Sequence, residues 1–206
     1  MSGVRTVVKV GGSLLDWPAL PQRLGESLKE LGGPEGGLLV ICGGGGAADV
    51  VRHLDAIHKL GEAGSHELAI RALDLTAHVL AAIVPGLVVV SHVGEPCPGR
   101  VPVLAPRAML EEDESRDLPR TWDVTSDTIA AHLAARLGAS SLVLLKSAPL
   151  PAGAGLDEAV RLGLVDPAFP RHARALPSVG YRDLRDPTDS VRPLHREKEK
   201  ESVAVP

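Results

Sequence analysis

Two short apolar runs, each cut off by glycine, constrain this chain more than any other feature. Residues 6–10 (TVVKV) stop at Gly11 and Gly12, and residues 38–42 (LLVIC) stop at Gly43, Gly44, Gly45 and Gly46. Runs that are short, rich in branched side chains and apolar without alternation read as strands buried on both faces. Such strands belong to parallel sheets covered by helices above and below. The intervening pattern agrees. Residues 18–31 place Leu20, Leu24, Leu28 and Leu31 on one helical face before Gly32, Gly33 and Pro34 end it. Residues 47–60 repeat that spacing through Val50, Val51, Leu54, Ile57 and Leu60. Further helices are expected over 64–83 and 125–137, with short ones over 106–114 and 156–163. Further strands are expected over 87–90, 101–104 and 141–145, an acidic surface loop over 113–120, and irregular chain after 163. The predicted fold class is therefore α/β, a three-layer α/β/α sandwich with a mostly parallel central sheet.

The 206 residues suit one domain, placed at 1–190, with the charge-dense segment 191–206 expected to be a flexible tail. Trp17, Trp122, Phe169 and Tyr181 are the only aromatics, so Leu, Val, Ile and Ala must build the core. A net charge of −4 disfavours a nucleic-acid partner, which needs a basic face. No stretch reaches the ~18 apolar residues of a membrane helix, and the glycine-broken start is too short for a signal peptide. Cys42 and Cys97 stand alone, without metal or disulfide spacing, which suits a reducing compartment; a cytoplasmic location is expected.

Glycine-rich turns at strand ends let the backbone approach a ligand, and exposed N–H groups beside a helix start attract anions. Tight strand-to-helix turns explain a single Gly-Gly better; four consecutive glycines favour a ligand. The phosphate-loop pattern GxxxxGK[ST] is absent. A loose GxGxxA (Gly43, Gly45, Ala48) leaves a dinucleotide site as a weak alternative, because no acidic residue follows at the spacing needed for a ribose. Lys9 sits inside the first apolar run, one of six lysines in the chain. It either snorkels at a sheet edge or faces an anion at the strand end.

Three segments in order, KVGGSLL (9–15), CGGGG (42–46) and TSDTIAAHLA (125–134), resemble the amino acid kinase family. The likeness covers roughly residues 5–147, and SHELAIRALD (65–74) is similar to a short branch that phosphorylates an aminomethylfuran-methyl phosphate. The resemblance implies ATP with Mg²⁺ as donor and a small anionic acceptor, possible acceptors including a phosphomonoester. It implies that Lys9 contacts the transferred phosphoryl group and that Gly11, Gly12 and Ser13 wrap the ATP phosphates. It further implies that Gly43 to Gly46, Asp123 and Thr125 hold the acceptor, and that Asp127 orients the catalytic lysines. A homodimer or higher homo-oligomer is also implied.

The sequence departs from the family after 145. The acidic nucleotide turn is replaced by Lys146, Ser147, Ala148, Pro149 and Leu150, and the segment 165–172 holds no second lysine. Lys146 and Arg171 are the candidate replacements, and Lys146 with Ser147 the candidate nucleotide contacts. These losses leave open a kinase-fold subunit that binds or regulates without catalysis. On helix-cap physics alone, Thr125 caps 125–137 and Asp127 improves its first turn, so Asp127→Asn should hardly disturb folding. No His pair has metal-ligand spacing; His53 or His66 could touch an acceptor, though a surface role suits each better. Leu68, Leu75, Val79 and Ile83 could pack either a second copy or the core.

Overall fold

In the computed structural model, which describes residues 3–32, 37–113 and 117–194, β1 (Thr6–Val10) runs through the middle of a seven-stranded sheet. The order is β3 (Leu87–Val90), β4 (Val101–Leu104), β2 (Leu38–Cys42), β1, β5 (Ser141–Lys146), β6 (Val179–Asp183) and β7 (Arg192–Pro193). All neighbours are parallel except β7, which runs against β6. This is the three-layer α/β/α arrangement expected, though its strand order is not the 3-2-1-4-5-6 of dinucleotide folds.

Alternation along the strands divides two cores. Val8, Val10, Val40, Cys42 and Leu145 pack under α1 (Leu20–Gly32) and α3 (Glu62–Ile83). Val7, Leu39, Ile41, Leu142 and Leu144 pack under α5 (Ser126–Arg136) and α7 (Phe169–Ala173). Burying each large aliphatic chain contributes about 1.5–3 kcal/mol. Helix α2 (Gly45–His58) buries little, and Val50, Leu54 and Ile57, which the helical spacing directed inward, are exposed. Two short helices, α4 (Arg107–Glu111) and α6 (Leu156–Arg161), complete the layers.

Two expectations need correction. The chain after 163 is not irregular: it supplies α7, β6 and β7. The sheet also extends to Pro193, past the boundary placed at 190, while the rest of the expected tail, 195–206, lies outside the described residues. Among the described residues no helix is long and apolar enough to cross a membrane.

The connection after β1 leads to β2 on one side, and that after β5 leads to β6 on the other. The loops after β1 and β5 therefore diverge, which opens a crevice at their carboxyl ends.

Candidate active site

Strand parity and register bring three charged side chains together. Lys9 has the same parity as Val7 and faces α5; its register partner on β5 is Leu144, which faces the same way. Lys146, two residues on, repeats that direction at the strand end. Asp127, in the first turn of α5, lies between the two ammoniums. Its Oδ1 is 2.7 Å from Lys9 Nζ, and Lys146 Nζ donates to its Oδ2 at 2.7 Å. All three are largely withdrawn from water, with side-chain exposures of 4%, 6% and 15% for Lys9, Asp127 and Lys146. β1 is central and its lysine buried, so snorkelling at an edge does not describe Lys9.

Electrostatics follow from that geometry. Burial raises the Asp127 carboxyl, but the Lys146 and Lys9 ammoniums outweigh it and hold the group at about 2. Burial pushes Lys146 down to about 8; Asp127 opposes the shift and the Lys9 charge adds to it. Burial pushes the Cys42 thiol up to about 11, so it stays an inert core group.

The start of α5 is held differently from the helix-cap expectation. Thr125 occupies the cap position, but its side chain does not cap the helix. Instead Asp166, from the segment before α7, accepts hydrogen bonds from Thr125 N at 3.1 Å, Thr125 Oγ1 at 2.8 Å and Thr128 N at 3.0 Å, and from the Thr128 hydroxyl. Four donors on one buried carboxylate fix the helix end that carries Asp127; bonds to a charged group contribute about 1.5–3 kcal/mol each. Sequence reading missed Asp166 because its partners lie about 40 residues away.

The glycines serve two purposes. A Cβ on Gly12 would lie 2.2 Å from Gly45 N, and one on Gly43 would lie 2.8 Å from Gly12 N, so the two turns touch backbone to backbone. Gly11 N donates to the Leu145 carbonyl and Gly43 N to the Val10 carbonyl, so those two amides are already engaged. The first turn of α2, whose N–H groups have no intrahelical acceptor, carries no side-chain cap. It opens on a cavity of about 260 Å³ lined by Gly12, Ser13, Gly44, Gly45, Gly46, Thr125 and Ser126 among others. Across the crevice, the Ser13 and Ser147 hydroxyls are hydrogen-bonded at 2.8 Å, and Arg185 Nη2 donates to the Ser13 carbonyl at 3.3 Å.

Most of the expected site residues thus converge at the strand ends. Three do not join them. Asp123 is exposed and outside the cavity lining, where its neighbours Trp122, Val124 and Thr125 stand instead. Arg171 is exposed on α7, while Lys146 rather than Arg171 reaches Asp127. His53 is exposed outside the lining, whereas His66 is buried within it. Among the described residues no cluster of three His, Cys, Asp or Glu is arranged for a metal ion.

The parallel sheet, the paired glycine turns and the bridged lysines define an α/β protein with a glycine-walled cleft at the ends of its central strands. A model of the amino acid kinase family matches residues 4–149, and the chain belongs to that family. A curated relative, the (5-(aminomethyl)furan-3-yl)methyl phosphate kinase of Methanocaldococcus jannaschii, is 28% identical over 144 residues, 67% of this chain and 63% of the relative's length. The chain thus spans under two thirds of that relative. Among solved structures, uridylate kinase from Archaeoglobus fulgidus superposes with a TM-score of 0.58 at 17% identity, covering 86% of this chain and 89% of its own. UMP kinase from Ureaplasma parvum gives 0.60 at 12% identity, covering 91% and 93%. These two likenesses establish the shared fold.

Proposed function

We propose that this protein is an ATP-dependent phosphotransferase acting on a small anionic acceptor, a phosphomonoester such as an aminomethylfuran-methyl phosphate. The observation that carries the proposal is the Lys9–Asp127–Lys146 bridge, set beside a cleft walled by glycine backbone. ATP, when bound, supplies the phosphoryl group and brings Mg²⁺ on its phosphate oxygens. Gly12 and Ser13, with Ser147 and Lys146 across the crevice, suit the ATP phosphates; Gly11 shapes the turn with its amide engaged. The amides of Gly44, Gly45 and Gly46, at the uncapped start of α2, suit an acceptor phosphate, with Gly43 joining the two turns and Thr125 on the cavity wall.

Phosphoryl transfer asks for in-line positioning and for positive charge on the equatorial oxygens. Lys9 and Lys146 meet the second need. Asp127 keeps both ammoniums aimed at one place and offsets their repulsion. A phosphate acceptor arrives ionised, so this acceptor class needs no strong general base beside the bridge.

The test is ADP formation by the purified protein with ATP·Mg²⁺ and aminomethylfuran-methyl phosphate, measured across pH. Lys146 must stay protonated to meet phosphate, and its ammonium titrates near 8. In consequence kcat/KM falls about tenfold per unit above that pH. Lys146→Arg carries the descent beyond pH ~10, because a guanidinium keeps its charge. Stability moves the other way. The group's pKa is about 8 when folded and 10.5 when free, so between those values the unfolded chain holds more protons and the fold gains stability as pH rises. ATP binding without ADP formation would favour the non-catalytic subunit instead.

Leu68, Leu75, Val79 and Ile83 are exposed on α3, which supports self-association rather than core packing as their use. Light scattering at the single-chain mass of 21.5 kDa would exclude the expected homo-oligomer.

A further inference from the structure

We infer that His66 is an acceptor-binding residue that selects phosphomonoesters whose organic part carries a hydrogen-bonding nitrogen or oxygen; this rests on the kinase reading above. His66 lies in the second turn of α3 and is only 4% exposed. Both its ring nitrogens are buried and neither makes a well-formed hydrogen bond, the Val124 carbonyl being a weak partner for a ring N–H. Buried polar atoms are nearly always well partnered, and a poorly met one costs stability, so a buried ring with a weak partner for one nitrogen and none for the other calls for a cause. Of the buried side chains left with an unpartnered atom, His66 alone lines the cleft among the described residues.

Its place in the cleft indicates which part of the acceptor it meets. His66, Ile70 and Ile129 form the wall shared by the first cavity and a second of about 610 Å³. The glycine amides line the first cavity only. An acceptor with its phosphate on those amides therefore directs its organic part past His66. Two neighbouring polar groups are already occupied. Arg52 is paired with Asp49 at 2.7 Å and lies over the Trp122 ring, and Thr125 is bound to Asp166. Burial, helped by the Arg120 charge and only partly opposed by the Val124 carbonyl, pushes the imidazole below its usual range, so it is neutral at pH 7. A neutral imidazole presents one donor and one acceptor, which match an amine, hydroxyl or ring heteroatom. A hydrocarbon body would leave the ring nitrogens nothing better than the Val124 carbonyl. A site built around a hydrogen bond rejects the analogue that lacks it more strongly than an apolar wall rejects a polar group.

The test compares two probes by calorimetry and turnover: aminomethylfuran-methyl phosphate and benzyl phosphate, which has a ring but no heteroatom in its body. Wild type is expected to prefer the first. His66→Leu should weaken that probe about tenfold or more and leave benzyl phosphate within about twofold, so the preference collapses. His66→Gln, which keeps a donor and an acceptor, should restore most of it. ATP affinity should hold in both variants, and His66→Leu should melt no lower than wild type, since leucine removes the poorly met nitrogens. Wild-type turnover with an unchanged preference in His66→Leu overturns the role of His66 alone. So does a His66→Leu variant that melts lower and loses ATP and both probes together, because that marks a structural side chain. Wild type silent toward both phosphates overturns the kinase reading and the assignment with it.

Discussion

Replacing Asp127 by Asn is expected to cut turnover by about a thousandfold or more and to lower the stability of the free protein by roughly 2–4 kcal/mol. The substitution keeps the shape and removes the charge. Two ammoniums, of which Lys9 is 3% exposed, then face each other without a counter-ion. This corrects the helix-cap argument, under which Asp127 improved a dipole and its loss would hardly touch the fold. The cost has a ceiling, because Lys146, already lowered to about 8, can shed its proton and relieve the repulsion. That escape protects the fold at the expense of the chemistry, since a neutral amine no longer holds phosphate. Denaturant titration at neutral pH and steady-state turnover measure the two effects. The pH dependence supplies a further check. Asp127 is held at about 2 against an ordinary 3.8, so its contribution is present above 3.8 and fades as pH falls toward 2. The stabilities of wild type and variant should converge on acidification. Unchanged turnover would remove Asp127 from the mechanism.

How much of this was legible in sequence depended on whether the cause was local. The strands of β1, β2 and β5 show themselves because a strand buried on both faces is apolar at every position, and the glycine stops mark their ends. Lys9 was legible as an anomaly in such a run. Strand β6 was not, because it reads VGYRD, with polar residues where a core strand is expected. All five of its residues are buried, and Arg182 is met there by Glu30 at 2.6 Å and Ser27 at 3.2 Å, from a helix about 150 residues earlier. No local pattern reports such a partner. Asp166 was hidden for the same reason. The exposed face of α2 failed differently: periodicity reports that a helix has an apolar side, not that something covers it. His66 needed burial and the lack of a well-formed partner to be known together, and neither is a property of its neighbours in sequence.

Gly12→Ala is expected to destabilise the fold by about 3 kcal/mol or more and to abolish binding of both ATP and acceptor. The reason is contact rather than conformation. Gly12 does not occupy the positive-φ region, so alanine can adopt its backbone angles. Its new methyl would nevertheless lie 2.2 Å from Gly45 N and 2.6 Å from Gly45 Cα, both main-chain atoms that no rotamer can move aside. Gly45 itself sits at φ 48°, where a side chain is disfavoured, so the opposing turn cannot readily yield. The two turns must separate, which moves the Ser13 hydroxyl away from that of Ser147 and tilts the first turn of α2 away from the cleft. Gly46→Ala is the matched control. A methyl there meets nothing within 4 Å, and Gly46 lies in the first turn of α2 without positive φ. Alanine at that position should leave stability unchanged or raise it by up to about 1 kcal/mol. Thermal melting and ATP calorimetry on the pair separate two uses of glycine in one sequence motif. If both variants melt alike, the turns are not pressed together, and the glycines must be explained by ligand approach alone.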